Sequence, residues 1–308
     1  MYDVAIVGGG IAGLTAAIYT TRRELSTIVI SLIPGGQMST TPDIENWPGE
    51  DKINGAELTS KIQKQAEKFG TEIKSGMVSE IIKTKNNLGL KVGKDKISAK
   101  SIILAYGKSP RKLGINNEKE LEGKGISYCV NCDGQFFRNK NVAIVGGGNS
   151  ALEAVITMSR IGKKVYLIHR RNEFRGEKIL IENVNKIENV ETVLGDEILK
   201  IIGEDQLEKI ITKTGKELNI SGLFVEIGYV ANSSIVKKIV EIDNQNLVKV
   251  NSYQETSQKG IFAAGDITNQ PYQQLVIAAG QGATAGLSVF KYLQSIWLLH
   301  NNHKVRSS

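Results

Sequence analysis

The sequence predicts an α/β fold with two Rossmann-like units, and two stretches of the chain predict it. At residues 3–7 the short apolar run Asp-Val-Ala-Ile-Val leads directly into Gly-Gly-Gly-Ile-Ala-Gly at 8–13 and then into a helical pattern. At residues 141–145 the run Asn-Val-Ala-Ile-Val leads in the same way into Gly-Gly-Gly-Asn-Ser-Ala at 146–151. A strand, a glycine-rich turn and a helix in this order form the dinucleotide-binding fingerprint. Because the fingerprint occurs twice, we expect two nucleotide-binding units.

Length, composition and charge limit the classes of protein that the sequence fits. The 308 residues are enough for two domains, and 41% hydrophobic residues allow each domain to bury a core. The net charge is +7, but Lys and Arg are spread along the chain without a long basic block, so we expect no nucleic acid as ligand. No apolar run reaches the about 18 residues of a membrane helix, and Met1 leads at once into a strand pattern without a signal peptide. We therefore expect a cytoplasmic protein without a membrane partner.

In the first fingerprint each glycine has a separate role. Gly8 permits the tight turn, Gly10 lets a pyrophosphate approach the backbone, and Gly13 lets the helix pack closely on the strand. The phosphates would then lie at the helix N-terminus. An ordinary strand-to-helix turn is the alternative. The second strand, 27–31, ends in Ser31 where an acid that binds a ribose hydroxyl is usual, so we expect ribose to be bound more weakly or differently here.

The loops that follow carry glycines and amides. Residues 34–38 (Pro-Gly-Gly-Gln-Met) and 45–49 (Glu-Asn-Trp-Pro-Gly) precede a predicted amphipathic helix, and 71–104 predict several short strands. Such loops suit a flat polar ring system that needs several hydrogen bonds, although they are also compatible with plain turns. The polar segment 111–122 that comes next is a candidate hinge.

The only two cysteines, Cys129 and Cys132, are separated by two residues and followed by Asp133. Such a pair can close as a disulfide or open as a dithiol, and a neighbouring carboxylate can move the protons that the thiolates gain or lose. In a cytosolic protein a lone pair is more often redox-active than structural. Two incidental buried thiols remain an alternative. The residues 133–137 that follow predict a turn, unlike the helix start at which a thioredoxin-like domain carries its pair.

A zinc site is the other alternative for the cysteine pair. It would need about four ligands. Beyond the cysteines, the chain offers only three histidines, which are His169, His300 and His303. We therefore predict no metal site.

A basic cluster follows the next strand of the second unit. The strand 164–168 ends in His169, Arg170 and Arg171, and Arg175 lies one turn further on. No acid is available there for a ribose hydroxyl, and clustered guanidinium groups match a 2′-phosphate, which indicates NADP rather than NAD. A solvated basic surface is the alternative.

Near the C-terminus the apolar run 260–264 ends in Gly265 and Asp266, and a helix with many small residues is predicted from Gln274 to about Leu293. A carboxylate at the end of such a strand can hold ribityl hydroxyls. It is also compatible with a simple helix N-cap.

Together these motifs resemble those of the low-molecular-weight FAD-dependent thioredoxin reductases, from Tyr2 to about Leu293. The resemblance implies two FAD/NAD(P)-binding domains of the class II pyridine nucleotide-disulfide oxidoreductase type. A discontinuous FAD domain, 1–112 and 243–308, would enclose an inserted NADPH domain, 113–242, that carries the cysteine pair.

Fingerprints and resemblance together assign two sets of cofactor-binding residues. The FAD set is Gly8, Gly10, Ala12, Gly13, Gly36, Gln37, Asn46, Gly265, Asp266 and Gln274. The NADPH set is Gly146, Gly148, Asn149, Ser150, Ala151, His169, Arg170, Arg171 and Arg175.

The resemblance also implies the chemistry of the pair. Hydride passes from NADPH to FAD, the reduced flavin reduces the disulfide at Cys132, and Cys129 exchanges with a thioredoxin or glutaredoxin-like protein disulfide. Asp133 would serve as acid and base, and the protein would be a homodimer. The sequence departs from the usual family pattern at Val130-Asn131, at Tyr106 and at Gln273.

Two other functions are compatible with parts of the sequence. NADP reductases of ferredoxin or flavodoxin share both nucleotide-binding units but lack the cysteine pair. A redox scaffold that binds FAD and NADPH without turnover is the second alternative, and NADPH oxidation with a disulfide acceptor would separate it from an enzyme.

Overall fold

The computed structural model describes residues 1–41, 44–84 and 87–306, and the chain forms two compact units. One unit is Met1–Lys108 with Ala231–Ser308, and the other is Ser109–Val230. The family resemblance implied limits after residues 112 and 242. In the structure, 109–112 belong to the second unit and 231–242 to the first.

Strands and helices alternate along much of the chain. The strands are β1 (Tyr2–Val7), β2 (Thr27–Ser31), β3 (Glu72–Ser75), β4 (Val78–Lys83), β5 (Leu88–Val92), β6 (Asp95–Leu104), β7 (Ser109–Pro110), β8 (Ile126–Ser127), β9 (Asn141–Val145), β10 (Lys164–His169), β11 (Val190–Leu194), β12 (Ile198–Ile202), β13 (Lys209–Thr212), β14 (Glu217–Asn219), β15 (Gly222–Val225), β16 (Tyr229–Val230) and β17 (Ile261–Ala263). The α-helices are α1 (Ile11–Thr21), α2 (Gly55–Lys68), α3 (Val130–Asp133), α4 (Asn149–Ser159), α5 (Lys178–Asn185) and α6 (Leu275–Arg306).

The first unit is built on a seven-stranded sheet in the order β3-β2-β1-β6-β5-β4, with β17 also paired to β6. Strands β1, β2, β3, β6 and β17 run parallel, whereas β4, β5 and β6 form an antiparallel meander. Strands β1, β2 and β17 are largely apolar and buried because both faces of that part of the sheet are covered. Val4 and Ile6 belong to the core on one face, and their neighbours Ala5 and Val7 to the core on the other.

Helices α1 and α6 pack closely in this unit because small residues line their contact. A Cβ atom on Gly282 would lie 2.1 Å from the carbonyl oxygen of Ala12, and one on Gly286 would lie 3.0 Å from that of Ala16. The helix predicted to end near Leu293 continues to Arg306. Its small residues thus hold the helix of the first glycine fingerprint in place.

The second unit has a five-stranded parallel sheet in the order β11-β10-β9-β15-β8. A three-stranded antiparallel sheet, β12-β13-β14, contributes Ile198, Ile201 and Ile210 to the core on one face. Helices α4 and α5 contribute Leu152, Val155 and Val184 to the core on the other face. The unit therefore repeats the layered arrangement that its fingerprint predicts.

Candidate active site

Cys129 and Cys132 form a disulfide, with their sulfur atoms 1.97 Å apart. Cys129 is the N-cap of α3, and the backbone N–H of Cys132 donates to its Sγ at 3.1 Å. Cys132 is exposed, whereas Cys129 is partly buried. One N–H is thus already directed at the sulfur that would become a thiolate when the disulfide opens, and such a contact stabilises a thiolate.

The prediction of a turn over 133–137 is wrong. Residues Val130–Asp133 form one α-helical turn, and Gly134–Phe137 continue as a 3-10 helix. Tertiary packing is the physical reason. Val130 is 5% exposed within the core, and Gly134 lies so close to α4 that a Cβ atom on it would approach the Met158 Sδ to 2.9 Å.

The Asp133 carboxylate is held by a residue that the sequence analysis missed. The Ser127 hydroxyl donates to Oδ2 of Asp133 at 2.7 Å, and the backbone N–H of Cys129 donates to the Ser127 oxygen at 3.1 Å. Ser127 is buried at the end of β8. Its position two residues before Cys129, after an apolar strand residue, was the only signal in the sequence.

Two further side chains bear on the surroundings of the cysteine pair, one of them exposed and the other buried. Phe136, four residues after Cys132, has a side chain that is 74% exposed. Glu118 is buried, and its carboxylate accepts hydrogen bonds from the Tyr128 hydroxyl and from the backbone N–H groups of Leu113 and Gly114. This carboxylate ties part of the predicted hinge segment to the residue that precedes Cys129.

The glycines of the first fingerprint let two segments of backbone approach each other closely. A Cβ atom on Gly13 would lie 1.9 Å from the Gly8 carbonyl oxygen, so only glycine lets α1 start this close to β1. Gly10 is less crowded, since a Cβ atom on it would make only an ordinary van der Waals contact, with the Gly35 carbonyl oxygen at 3.8 Å. Ala12 is buried and lies close to Gly265 on the neighbouring strand connection. The turn can therefore accept a phosphate at the N-terminus of α1.

Ser31 lies at the end of β2, where an acid is usual. Its hydroxyl donates to the Ile33 carbonyl oxygen at 2.9 Å and is buried. It lies against Gly9, whose Cβ would be 2.8 Å from it. A hydroxyl with this internal partner is not directed at a ribose, which fits the expectation of a different ribose contact.

Two amides predicted from separate loops meet in the structure. The Asn46 side chain donates to the Gln274 side-chain oxygen at 3.1 Å, and both side chains are exposed. Gln37 donates to the Lys108 carbonyl oxygen at 3.0 Å. The structure thus brings the amides of Asn46 and Gln274 together, whereas Gln37 is held separately by the backbone at Lys108.

Asp266 follows β17 at a turn that a second missed residue holds. The Gln281 side chain, buried on α6, accepts the backbone N–H of Gly265 at 2.7 Å. Within the described part of the chain, the Asp266 carboxylate has no hydrogen bond, and burial raises its pKa although Lys108 acts in the opposite direction. Helix α6 begins at Leu275, so Asp266 is not its N-cap. A half-buried carboxylate of this kind can accept hydrogen bonds from a ligand.

The second fingerprint is supported by His169. A Cβ atom on Gly147 would meet the His169 ring at 2.3 Å, and that ring stacks on Phe174. His169 is only 4% exposed, and burial first, then Arg175, lowers its pKa. The histidine is therefore a neutral support of the glycine turn, and its ring is not exposed as the three arginines beside it are.

The other members of the predicted NADPH set take different environments. The Asn149 side chain exchanges two hydrogen bonds with Glu177, both of 2.8 Å. Ala151 is fully buried, Ser150 is exposed, and a Cβ atom on Gly148 would meet no atom within 4 Å. The space beside Gly148 and Ser150 is thus the open part of this turn.

Arg170, Arg171 and Arg175 are all exposed. Over the described ranges, none of their guanidinium groups has an ion pair or a hydrogen bond. The backbone N–H of Arg175 donates to the Gly147 carbonyl oxygen at 2.7 Å, which fixes this loop beside the glycine turn. Exposed guanidinium groups without a partner in the described chain can bind an anion.

A carboxylate that the sequence analysis did not single out also adjoins this turn. Glu226 follows β15, and its carbonyl oxygen would lie 2.3 Å from a Cβ atom on Gly146. Burial, and then the Glu153 carboxylate, raise the pKa of Glu226 to about 7.

The departures from the usual pattern lie partly in the core and partly at the surface. Val130 belongs to the core of the second unit, whereas Asn131 and Gln273 are exposed. The Tyr106 ring packs against a core cluster of the first unit, and burial raises the pKa of its phenol to about 12.

Among the residues that the structure describes, no cluster of three or more His, Cys, Asp or Glu side chains could hold a metal ion. The side chains of His300 and His303 lie outside those described. No described helix is long and apolar enough to cross a membrane.

Comparison with known proteins gives consistent matches over almost the whole chain. The family described as pyridine nucleotide-disulphide oxidoreductase matches residues 2–282. Thioredoxin reductase of Bacillus subtilis is 38% identical over 303 residues, which cover 96% of this chain and 96% of that protein. The crystal structure of Lactococcus lactis thioredoxin reductase has a TM-score of 0.83 and 34% identity, and covers 96% of this chain and 100% of its own. The crystal structure of T. acidophilum thioredoxin reductase has a TM-score of 0.79 and 32% identity, with coverages of 96% and 99%.

Proposed function

The chain belongs to the pyridine nucleotide-disulphide oxidoreductase family and, within it, to the thioredoxin reductases, and from that premise we propose how its residues carry the reaction. Electrons pass from NADPH through FAD to the Cys129–Cys132 disulfide and then to a protein disulfide of the thioredoxin type. The observation that supports this most strongly is the disulfide itself, which lies in a unit with its own nucleotide-binding turn.

The first unit fits FAD. The uncrowded backbone at Gly10 and the N-terminus of α1 suit the pyrophosphate. The Asp266 carboxylate suits ribityl hydroxyls, and the amides of Gln37, Asn46 and Gln274 suit a polar ring system. Bound there, FAD would supply the redox chemistry that passes an electron pair from NADPH to a disulfide. The chain's own part is to hold this group and to keep its polar edges satisfied.

The second unit fits NADPH. The turn at 146–151 suits the pyrophosphate, and the free guanidinium groups of Arg170, Arg171 and Arg175 suit the 2′-phosphate that distinguishes NADPH from NADH. His169 contributes by supporting Gly147 from beneath.

The cysteines then divide the thiol chemistry. Cys132 accepts the electron pair as the disulfide opens, and Cys129, whose sulfur is contacted by the Cys132 N–H, attacks the disulfide of the partner protein. Asp133 gives a proton to the sulfur pair on reduction and takes it back on reoxidation. Thiolate attack with an adjacent acid and base is the general requirement of disulfide exchange.

A protein disulfide also needs a surface on which to dock. The exposed Phe136 lies in the 3-10 helix directly after the pair, and an exposed aromatic side chain is a common anchor at protein interfaces. The net charge of +7 favours an acidic partner. A thioredoxin or a glutaredoxin-like protein is the partner class we propose.

A coupled assay tests the proposal. Purified protein, NADPH and thioredoxin should oxidise NADPH and reduce thioredoxin in equal amounts, and Cys129→Ser should stop thioredoxin reduction. NADPH oxidation with ferredoxin or flavodoxin but not with thioredoxin would support the carrier reductase instead. Bound FAD and NADPH without turnover toward any disulfide would support a scaffold.

We further propose a homodimer that works in the cytoplasm. Reduction of protein disulfides at the expense of NADPH takes place in the reducing compartment of a cell, and the dimer follows the resemblance to the family. Light scattering on the purified protein measures the oligomeric state directly.

A further inference from the structure

The Ser127 hydroxyl connects the two parts of the redox site. It receives the backbone N–H of Cys129 at 3.1 Å and donates its own proton to Oδ2 of Asp133 at 2.7 Å. The Cys129 carbonyl oxygen is also within its reach, but at the longer distance of 3.3 Å, so the carboxylate is the better acceptor. One hydroxyl therefore links the backbone of the exchanging cysteine to the proton-carrying carboxylate.

Ser127 is placed rigidly for this link. It is 6% exposed, and it ends β8, whose register with β15 pairs it with Phe224. Phe224 is itself fully buried in the central parallel sheet. The hydroxyl is thus anchored to the core of the second unit, whereas Asp133 sits at the end of the four-residue helix α3.

The two oxygens of Asp133 differ as a result. Oδ2 carries the hydrogen bond from Ser127, and within the described part of the chain Oδ1 has none. We propose that Ser127 is a positioning residue, which holds Asp133 by Oδ2 and leaves Oδ1 as the oxygen that exchanges a proton with the sulfur pair. This inference rests on the proposed role of Asp133 as acid and base.

The proton balance shows where this matters. In the reoxidation step the Cys129 thiolate attacks the partner disulfide, so a mixed disulfide forms and one partner sulfur leaves as a thiolate. Cys132 then loses its thiol proton to Oδ1 of Asp133 and attacks Cys129 Sγ. The internal disulfide closes, the second partner sulfur leaves, and the electron pair of the dithiol has passed to the partner.

The test compares Ser127→Ala with Ser127→Thr, which keeps the hydroxyl, and with Asp133→Asn. Ser159→Ala is the matched control, because its hydroxyl donates at 2.8 Å to the Ile156 carbonyl oxygen in the same unit but does not reach Asp133. Each variant is mixed rapidly with NADPH, and reduction of its flavin shows that the variant is folded. Thioredoxin reduction is then measured separately.

We expect Ser127→Ala to slow thioredoxin reduction about tenfold, as for a lost hydrogen bond to a charged group, and to leave flavin reduction by NADPH unchanged. Ser127→Thr should recover most of the rate. In the Asp133→Asn background, adding Ser127→Ala should change the rate by less than about twofold, because the serine acts through the carboxylate.

Three results would overturn the inference. One is a normal rate for Ser127→Ala while Asp133→Asn is slow. Another is a further tenfold loss in the double variant, which would mean that Ser127 acts independently of Asp133. The third is a Ser127→Thr variant that folds but is as slow as Ser127→Ala. A normal rate for Asp133→Asn itself would instead refute the proposed role of Asp133, so the two failures are distinguishable.

Discussion

Selectivity for NADPH over NADH should depend on the exposed arginines beside the second glycine turn. Arg170, Arg171 and Arg175 have no ion pair or hydrogen bond within the described ranges, so no internal partner must be displaced before they bind a phosphate. The neighbouring His169 is buried with a lowered pKa and adds no positive charge. The perturbation we choose is the double substitution Arg170→Ala and Arg171→Ala.

The magnitude follows from the number and exposure of the contacts. A hydrogen bond to a charged group contributes about 1.5 to 3 kcal/mol, and we take the lower value because all three side chains are exposed. Each substitution should then weaken NADPH about tenfold, and the pair about a hundredfold. NADH lacks the phosphate, so its KM should change by less than about twofold.

Steady-state assays with each nucleotide, at saturating thioredoxin, give both KM values. Arg160→Ala is the matched control, since Arg160 is an exposed arginine of the same unit at the opposite end of α4 from the glycine turn. If NADPH and NADH lost affinity equally in the double variant, the arginines would not bind the 2′-phosphate and the reasoning would be refuted.

Three further predictions concern single side chains. Asp266→Ala should release FAD, because it removes the half-buried carboxylate that accepts ligand hydrogen bonds; the flavin absorbance per chain after purification measures this, and full retention would contradict it. Phe136→Ser should raise the KM for thioredoxin about tenfold, as for loss of an aromatic anchor, and leave the rate of flavin reduction by NADPH unaltered; an unchanged KM would exclude Phe136 from docking. Glu226 keeps its proton up to about pH 7 when folded but loses it near pH 4.5 when unfolded, so the folded protein binds more protons in this window and the free energy of unfolding falls as pH rises. Glu226→Gln should flatten that fall, as measured by denaturant unfolding of the parent and the variant at pH 5 and pH 8. An equal change in the two proteins would disprove the prediction.

The sequence predicted the fold well where the signal was local. The fingerprints at 8–13 and 146–151 begin the two nucleotide-type turns, and the apolar runs before them are central strands because a parallel sheet buries both faces. The cysteine pair was visible for the same reason, since its spacing alone allows a small disulfide ring.

Other features depend on contacts between distant segments. The helical conformation of 130–137 follows from the packing of Val130 and Gly134 on α4, which no local pattern indicates. Gln281 bonds to Gly265 across sixteen positions. The burial of His169 was indicated by a local pattern. His169 lies two residues after the buried Leu167 and therefore on the same face of β10.

Ser127 shows the limit most clearly. The residue types near the pair identified the thiols and the carboxylate, but the hydroxyl that links them is set by the register of β8 against β15, a pairing of segments almost a hundred positions apart. Register of this kind is specified by the whole sheet and not by the strand's own residues.

Rapid mixing of the Cys132→Ser protein with NADPH and thioredoxin shows whether the disulfide lies on the path of the electrons. If electrons pass from NADPH through FAD to the Cys129–Cys132 disulfide, the flavin absorbance should fall at the rate of the parent protein, since hydride transfer uses no sulfur. Thioredoxin should then stay oxidised. Reduction of thioredoxin by this variant at the parent rate would contradict the account, because the disulfide would then not be on the path of the electrons.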